Sequence, residues 1–444
     1  MNRRTFIQLS SAAAAGTSML TDTSGQQPGR LKNWAGNIEY STSHVHYPRS
    51  VEEVQKLVKT LPKFRALGTR HCFNRIADSN ANLVSSRDLN KVVSLDTQAH
   101  TVTVEGGIKY GELAPWLDEK GWALHNLASL PHISVAGSIT TATHGSGVHN
   151  GNLSTAVTGL EIVTPSGEIK HFSKDKDGDT FNGAVVGLGL LGIITKVTLA
   201  IQPRYLVRQN VYEHLPVSQL KEHFSDILSA GYSVSLFTDW KSDTVNEVWV
   251  KSRVDQGTGP GAELYGARAA TKNLHPIAVN SAVNCTEQMG VPGPWHERLP
   301  HFKMGFTPSN GDELQTEYFV PFQHGMDAFL AIARLHDQIS PHLFISEIRT
   351  IAADKFWMSP CRNQDSLAIH FTWKPEWAAV SKLLPVIEKE LAPFNPRPHW
   401  GKLFAMTRPA LENHYAKWPD FKKLVATVDP EARLRNEFIG QHLY

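Results

Sequence analysis

The sequence predicts an α+β protein of two domains, one mixing short strands and helices around glycine-rich turns, the other built on an antiparallel sheet with flanking helices. Three observations carry this. The chain has 444 residues, more than one typical core accommodates. Its apolar residues switch repeatedly between helical spacing and strand alternation. After Pro203 the texture changes from short strands closed by glycine turns to longer alternating strands. The expected boundaries are a leader over residues 1–27, a first domain over 28–205, a cap over 206–396, and a segment over 397–444 that returns to the first domain.

Taken in order, Ser50-Val51-Glu52-Glu53 forms a capping box, and Val51, Val54, Leu57 and Val58 follow at helical spacing. A helix is therefore expected from Val51 to Leu61. Phe64 to Leu67 reads as a short strand stopped by Gly68, and Val92 to Leu95 and Thr101 to Val104 as further strands. Tyr110 to Lys120 reads as helix. Pro165-Ser166-Gly167 joins two β-prone runs, Leu160 to Thr164 and Glu168 to Phe172, as a hairpin, and Ile193 to Ile201 is a strong strand. In the second domain a helix over Val217 to Leu228 precedes strands at Ser233 to Trp240 and Glu247 to Lys251. Glycine- and proline-rich chain occupies 256–311. Helices near Met326 to Leu335 and Trp377 to Leu391 flank strands at Leu343 to Ile351 and Ser366 to Trp373.

A net charge of +2, with 41% hydrophobic and 19% charged residues, provides no field that would favour nucleic acid or a membrane surface. The expected partner is a small molecule. Cys72, Cys285 and Cys361 are odd in number and widely spaced, which argues against a disulfide framework and a cysteine-based zinc site; no metal is expected. The start of the chain differs. Asn2-Arg3-Arg4-Thr5-Phe6-Ile7, the Ala-rich stretch Leu9 to Leu20 and polar Thr21 to Gln27 resemble a twin-arginine signal peptide, too short to span a bilayer. That resemblance implies export of the folded protein to the periplasm or medium of a bacterium.

Gly187-Leu188-Gly189-Leu190-Leu191-Gly192 satisfies the dinucleotide fingerprint literally, but the β-branched run Ile193-Ile194-Thr195-Lys196-Val197 follows it. The fingerprint requires a helix there, whose N-terminus meets the pyrophosphate. A nicotinamide site is rejected. Arg65-Ala66-Leu67-Gly68-Thr69-Arg70-His71-Cys72 is the better candidate, because a strand ending in this turn aims backbone N–H groups outward, where a diphosphate could be cradled. Ser134-Val135-Ala136-Gly137-Ser138 to Thr143-His144-Gly145-Ser146-Gly147 is the second, with small residues that admit a flat ring. Read singly, each fits a surface turn with an exposed histidine better than a site.

Together these loops resemble the vanillyl-alcohol-oxidase type of FAD-binding flavoproteins, and within it the alditol (xylitol) oxidases, which are related to the sugar-1,4-lactone oxidases. Asn33-Trp34-Ala35-Gly36-Asn37, Asn284-Cys285-Thr286-Glu287-Gln288, Pro292 to Phe302 and His399-Trp400-Gly401-Lys402 carry the same resemblance to the C-terminus. It implies a single FAD held covalently through His71, with Ala66, Leu67, Gly68, Thr69, Arg70 and Cys72 around the diphosphate. Ser129, Ser134, Gly137, Thr141, Ala142, Thr143, His144, Ile194 and His399 would complete the FAD site. The position where some relatives carry a second attachment cysteine is Leu130, and Cys72 replaces the family's serine.

Strand alternation also puts Glu347 and Arg349 on one face of one strand, and His370 and Thr372 on one face of another. By itself that pattern fits a solvated sheet face better than a site. The resemblance makes it a polyol site, with Ser129, Glu347, Arg349 and Thr372 binding hydroxyls and His370, Lys402, Arg349 and Glu347 in the catalytic set. His370 is the expected base and Lys402 its rival, with Arg349 and Lys402 stabilising developing negative charge. The expected reaction is oxidation of a terminal alcohol of an alditol such as xylitol or sorbitol, with dioxygen as acceptor, by a monomer. Alternatives are a sugar-1,4-lactone oxidase, a dehydrogenase using another acceptor, and an exported sugar-binding protein with no redox role.

Overall fold

The computed structural model describes residues 29–257, 259–305 and 312–444. The twin-arginine segment lies outside them. The helix Val51–Thr60 starts at the Ser50 cap, whose hydroxyl accepts the Glu53 N–H at 3.2 Å, and buries Val54 and Val58. The strand Arg65–Leu67 follows and pairs in parallel with Leu83–Ser85, which pairs in turn with Val45–His46. This small sheet aims the turn after Leu67 at the site.

A five-stranded antiparallel sheet runs in the order Val92–Asp96, Thr101–Glu105, Ile193–Ala200, Val157–Val163 and Ile169–Ser173. The run after Gly192 is thus a strand, as the rejection of the nicotinamide fingerprint requires. The helix Lys174–Val185, interrupted at Gly178, was not expected. Its apolar Phe181, Ala184 and Val185 are diluted by Lys174, Asp175, Lys176, Asp177 and Asp179, which hides the helical period.

The second unit is a ten-stranded sheet, with Leu206–Pro216, Thr244–Arg253, Ser233–Thr238, Leu343–Ile351, Ser366–Trp373 and Leu314–Pro321 as consecutive antiparallel neighbours. One face carries Leu236, Val248, Ile348, Ile369 and Tyr318, which pack with Phe329 and Ile332 of the helix Gly325–Ala333 and with Leu384 and Ile387 of Trp377–Leu391. The other face looks toward the first unit. Two strands, Leu206–Pro216 and Leu314–Pro321, escaped the sequence reading because polar residues are buried on them: Gln209 in the first, Glu317 in the second. The expected helix Val217 to Leu228 divides at His223, whose φ of −119° is not helical, into Val217–Glu222 and Phe224–Leu228.

The first core contains side chains from Val54 to Val207 and, from far along the chain, Trp400, Leu411, Trp418, Phe421, Val425, Leu434 and Leu443. The three C-terminal helices, Arg408–His414, Trp418–Val428 and Glu437–Leu443, therefore close the unit that begins near Val51. All three cysteines are free. Among the described residues no helix is long and apolar enough to cross a membrane.

Candidate active site

A cavity of about 290 Å³ lies between the two units. Its first wall is the turn after Leu67, where Gly68 and Gly137 flank Ser134, and a Cβ on either would meet Ser134 Oγ at 3.0 Å and 2.9 Å respectively. A side chain at either position would have to displace that hydroxyl, so glycine at both keeps this narrow cradle open. Ser134 does not line the cavity; its buried hydroxyl sits behind the two glycines without a partner among the described residues. Ala66, Leu67, Thr69, Arg70, Cys72, Thr141, Thr143, His144 and Ile194 all line the cavity. Ala142 is the departure. Its φ is +55° and its side chain turns into the first core, so no side-chain contact with a cofactor is available to it.

His71 lies at one edge, stacked on Trp34 with ring centroids 5.5 Å apart. Its Nδ1 is 3.0 Å from Thr69 Oγ1, while Nε2 is buried without a partner among the described residues. Burial first, then the positive fields of His132 and Arg70, lower its pKa to about 4. The imidazole is neutral at ordinary pH and keeps a nitrogen uncommitted. Leu188, Gly189 and Gly192 also border the cavity, so the glycine loop rejected as a nicotinamide site contributes to the same wall.

The facing wall comes from the large sheet. Register places Glu317, His370, Glu347 and Phe237 in a row across four adjacent strands, with Glu317 opposite His370, His370 opposite Glu347, and Glu347 opposite Phe237. Arg349 and Thr372 stand two residues along on the same faces. This face is not solvated: Glu347 is 6%, Arg349 5%, His370 6% and Thr372 8% exposed. Lys402 and His399 reach it from the C-terminal segment, and Ser129 from the first unit. The structure therefore brings together Ser129, Glu347, Arg349, His370, Thr372, His399 and Lys402.

Glu317 is the centre that the sequence reading did not find. Its carboxylate takes Lys402 Nζ at 2.7 Å on one oxygen and Arg349 at 2.8 Å on the other, with His144 Nε2 at 3.3 Å. Burial pushes its pKa up, but Lys402, His144 and Arg349 overcome that and hold it well below the usual carboxylate range. The alternation Glu313, Gln315, Glu317 was the available signal, since Gln315 and Glu317 line the cavity from one strand and Glu313 from the residue just before it. The donors of His144, Glu317 and His399 converge within 4.8 Å, a spacing a metal could use. The adjacent Lys402 and Arg349 already outnumber this carboxylate, which disfavours a further cation.

Lys402 Nζ also lies 2.8 Å from His370 Nδ1, and His370 Nε2 lies 3.0 Å from Thr372 Oγ1. Both ring nitrogens are engaged. Burial, then the Lys402 charge, depress His370 well below its ordinary pKa; burial also depresses Lys402, opposed by Glu317. The two groups titrate as a coupled pair. Glu347 accepts from His301 Nε2 at 2.7 Å. His301 too was missed as a site residue, because it lies in irregular chain without a period.

Residues 42–173 match the FAD binding domain family and residues 309–442 the D-arabinono-1,4-lactone oxidase family. An alditol oxidase of a Streptomyces strain is 44% identical over 412 residues, covering 92% of this chain and 98% of that protein. The chain belongs to the alditol oxidase family. More distant relatives are L-gulono-1,4-lactone dehydrogenase of Mycobacterium tuberculosis, 25% identical over 91% of this chain and 97% of its own, and L-gulonolactone oxidase of Mus musculus, 25% identical over 94% and 98%. A solvent-stable cholesterol oxidase shares the fold with a TM-score of 0.74 at 16% identity, covering 93% of this chain and 96% of its own. Cholesterol oxidase from B. sterolicum does so with a TM-score of 0.76 at 14% identity, covering 94% and 96%.

This member of the alditol oxidase family is an FAD-dependent oxidoreductase. Its residues fit the cofactor on two counts. The Gly68–Gly137 cradle stays open because neither residue carries a Cβ, and at the cavity edge the buried His71 Nε2 has no partner among the described residues.

Proposed function

We propose that the protein oxidises the terminal primary alcohol of an alditol, such as xylitol or sorbitol, to the aldose, with one dioxygen reduced to hydrogen peroxide. The observation that carries this reading is the buried row Glu317–His370–Glu347, flanked by Arg349, Thr372, Lys402 and Ser129. A polyol needs donors and acceptors in alternation along its length, and this wall supplies both while keeping water out. The Streptomyces alditol oxidase, at 44% identity, supports the same substrate class.

FAD, when bound, supplies the hydride acceptor and passes the electrons to dioxygen. We assign its attachment to His71, whose neutral ring has the uncommitted nitrogen that bond formation needs. Arg349 binds and orients the reacting hydroxyl together with Ser129, whose Oγ lies 3.4 Å from Arg349. Glu347 and Thr372 accept from or donate to the neighbouring hydroxyls. The Lys402–His370 pair takes the hydroxyl proton, His370 being the half nearest Thr372 and Lys402 the half whose basicity burial makes available. Arg349 stabilises the oxygen as negative charge develops.

The match of residues 309–442 to D-arabinono-1,4-lactone oxidase favours a sugar lactone as the second substrate reading. An aerobic peroxide assay across xylitol, sorbitol, glycerol and L-gulono-1,4-lactone decides between them: alditol turnover is expected, and turnover of the lactone alone would replace the first reading. Rapid reoxidation of the substrate-reduced enzyme by air is expected of an oxidase, and sluggish reoxidation would make it a dehydrogenase. The twin-arginine pattern at the start of the chain supports export to the periplasm or medium, and we propose a monomer as the working form.

A further inference from the structure

Behind the substrate wall lies a buried lysine that the proposed reaction does not use. Lys251, on the strand Thr244–Arg253, is 1% exposed and lies outside the cavity lining. Its Nζ faces three acceptors: the carbonyls of Leu299 and Pro300, and His301 Nδ1 at 3.0 Å. His301 in turn meets Glu347 through Nε2 at 2.7 Å. The imidazole plane is fixed on both sides, with Trp249 at 5.1 Å and 80° and Phe237 at 5.5 Å and 68°. The ring thus has one freedom left, the nitrogen on which it carries its proton.

We propose that Lys251 is a positioning residue for the polyol site, setting the tautomer of His301 and through it the orientation in which Glu347 meets the substrate. The inference rests on the alditol reading only in its last link, from Glu347 to the substrate. An ammonium has three N–H bonds for its three acceptors, so it donates to His301 Nδ1 and leaves the ring proton on Nε2, where it is given to the Glu347 carboxylate. A neutral amine has two N–H bonds, which the carbonyls of Leu299 and Pro300 take. Its lone pair then faces Nδ1 and draws the ring proton there. Nε2 becomes an acceptor opposed to a carboxylate, and Glu347 loses its hold.

The groups around Lys251 fix the sense of the pH dependence. Burial lowers its pKa to about 7, opposed by Glu347 and assisted by Arg349, while the nearby Cys285 thiol acts in the same direction as Glu347. Burial, then the Lys251 charge, lower His301 to about 4, so its ring is neutral and its tautomer matters. Arg349 and His301 outweigh burial to keep Glu347 ionised. The ordered arrangement is therefore present below pH about 7 and lost above it.

The test uses the flavin-loaded full chain labelled with nitrogen-15 histidine, with the His301 signal assigned by its absence in His301→Asn. At pH 6 the wild type is expected to show His301 protonated on Nε2, and above pH about 7 to show Nδ1 protonation. With xylitol, Lys251→Met should raise KM by about tenfold, the scale of a lost hydrogen bond to a charged group, with kcat far less affected. In the wild type KM should rise as pH passes about 7, whereas in Lys251→Met it should be flat. This pH series needs no variant, so it stands if Lys251→Met fails to fold. An unchanged tautomer, a pH-independent wild-type KM, or a variant that loses kcat at constant KM overturns the proposal. A wild type that shows the tautomer but turns over no alditol instead overturns the substrate reading and leaves the role of Lys251 on His301 standing.

Discussion

Glu317 shows how one residue can set the charge state of a site. It lies between Lys402, Arg349 and His144, and its removal leaves two cations buried with one carboxylate, Glu347, nearby. Glu317→Gln is expected to destabilise the fold by about 3–5 kcal/mol, the cost of breaking a buried ion pair, as read by denaturant unfolding. The same change removes the field that raises Lys402, so the acid limb of the kcat/KM profile should move to lower pH; a shift to higher pH would contradict the assigned pairing. For His71 the expected result concerns the cofactor. Acid-precipitated wild type should stay yellow, and His71→Ala should release all its flavin. Because the imidazole gains a proton only near pH 4, covalent incorporation into apoprotein should be insensitive to pH above about 5 and fall as pH approaches 4.

At the scale of elements, register decides function. Glu317, His370 and Glu347 share one face because Leu314–Pro321, Ser366–Trp373 and Leu343–Ile351 pair with those residues directly opposite. Strand side chains alternate with a period of two, so a shift of one residue turns every one of them to the other face. Inserting one glycine between Gln315 and Thr316 should bring Glu317 to the face occupied by Tyr318 and Val320 and abolish peroxide production, even where circular dichroism shows the sheet retained. Full activity after the insertion would mean that Glu317 is dispensable. The strand that carries this residue was illegible in the sequence for a physical reason. Polar residues at alternate positions of a strand normally mark a solvated face, and here the polar face is buried against a ligand cavity.

At the scale of the molecule, long-range anchoring closes the first unit. Arg65 is buried and donates to the carbonyls of Ile76, Leu188, Gly189 and Leu434, tying the cradle turn, the glycine loop and the C-terminal segment together. Arg433 repeats the device on the carbonyls of Val58, Leu61 and Pro165. Arg65→Met removes the Arg65 donor from the carbonyls of Leu188, Gly189 and Leu434 and should cost at least about 3 kcal/mol, with flavin content falling before secondary structure does. Denaturant unfolding together with the flavin-to-protein absorbance ratio measures both; an unchanged ratio would show that the cradle stands without its anchor. No sequence pattern announces this arginine, because its acceptors are backbone carbonyls up to 369 residues away.

The sequence by itself determined the elements whose period is uninterrupted, such as Val51–Thr60, Ile193–Ala200 and Ser366–Trp373, and the pairing of Glu347 with Arg349 and of His370 with Thr372 on common faces. Local pattern suffices there, since alternation and capping are properties of neighbours. Its loop motifs also led to the FAD-binding family. Only the tertiary structure decided that the polar faces are buried, that Glu317 joins Lys402 to Arg349, that Ala142 turns away, and that Lys251 stands behind His301 and Glu347. These depend on strand register and on the meeting of segments far apart in the chain, and burial of a charge is favourable only where such a meeting supplies its partner.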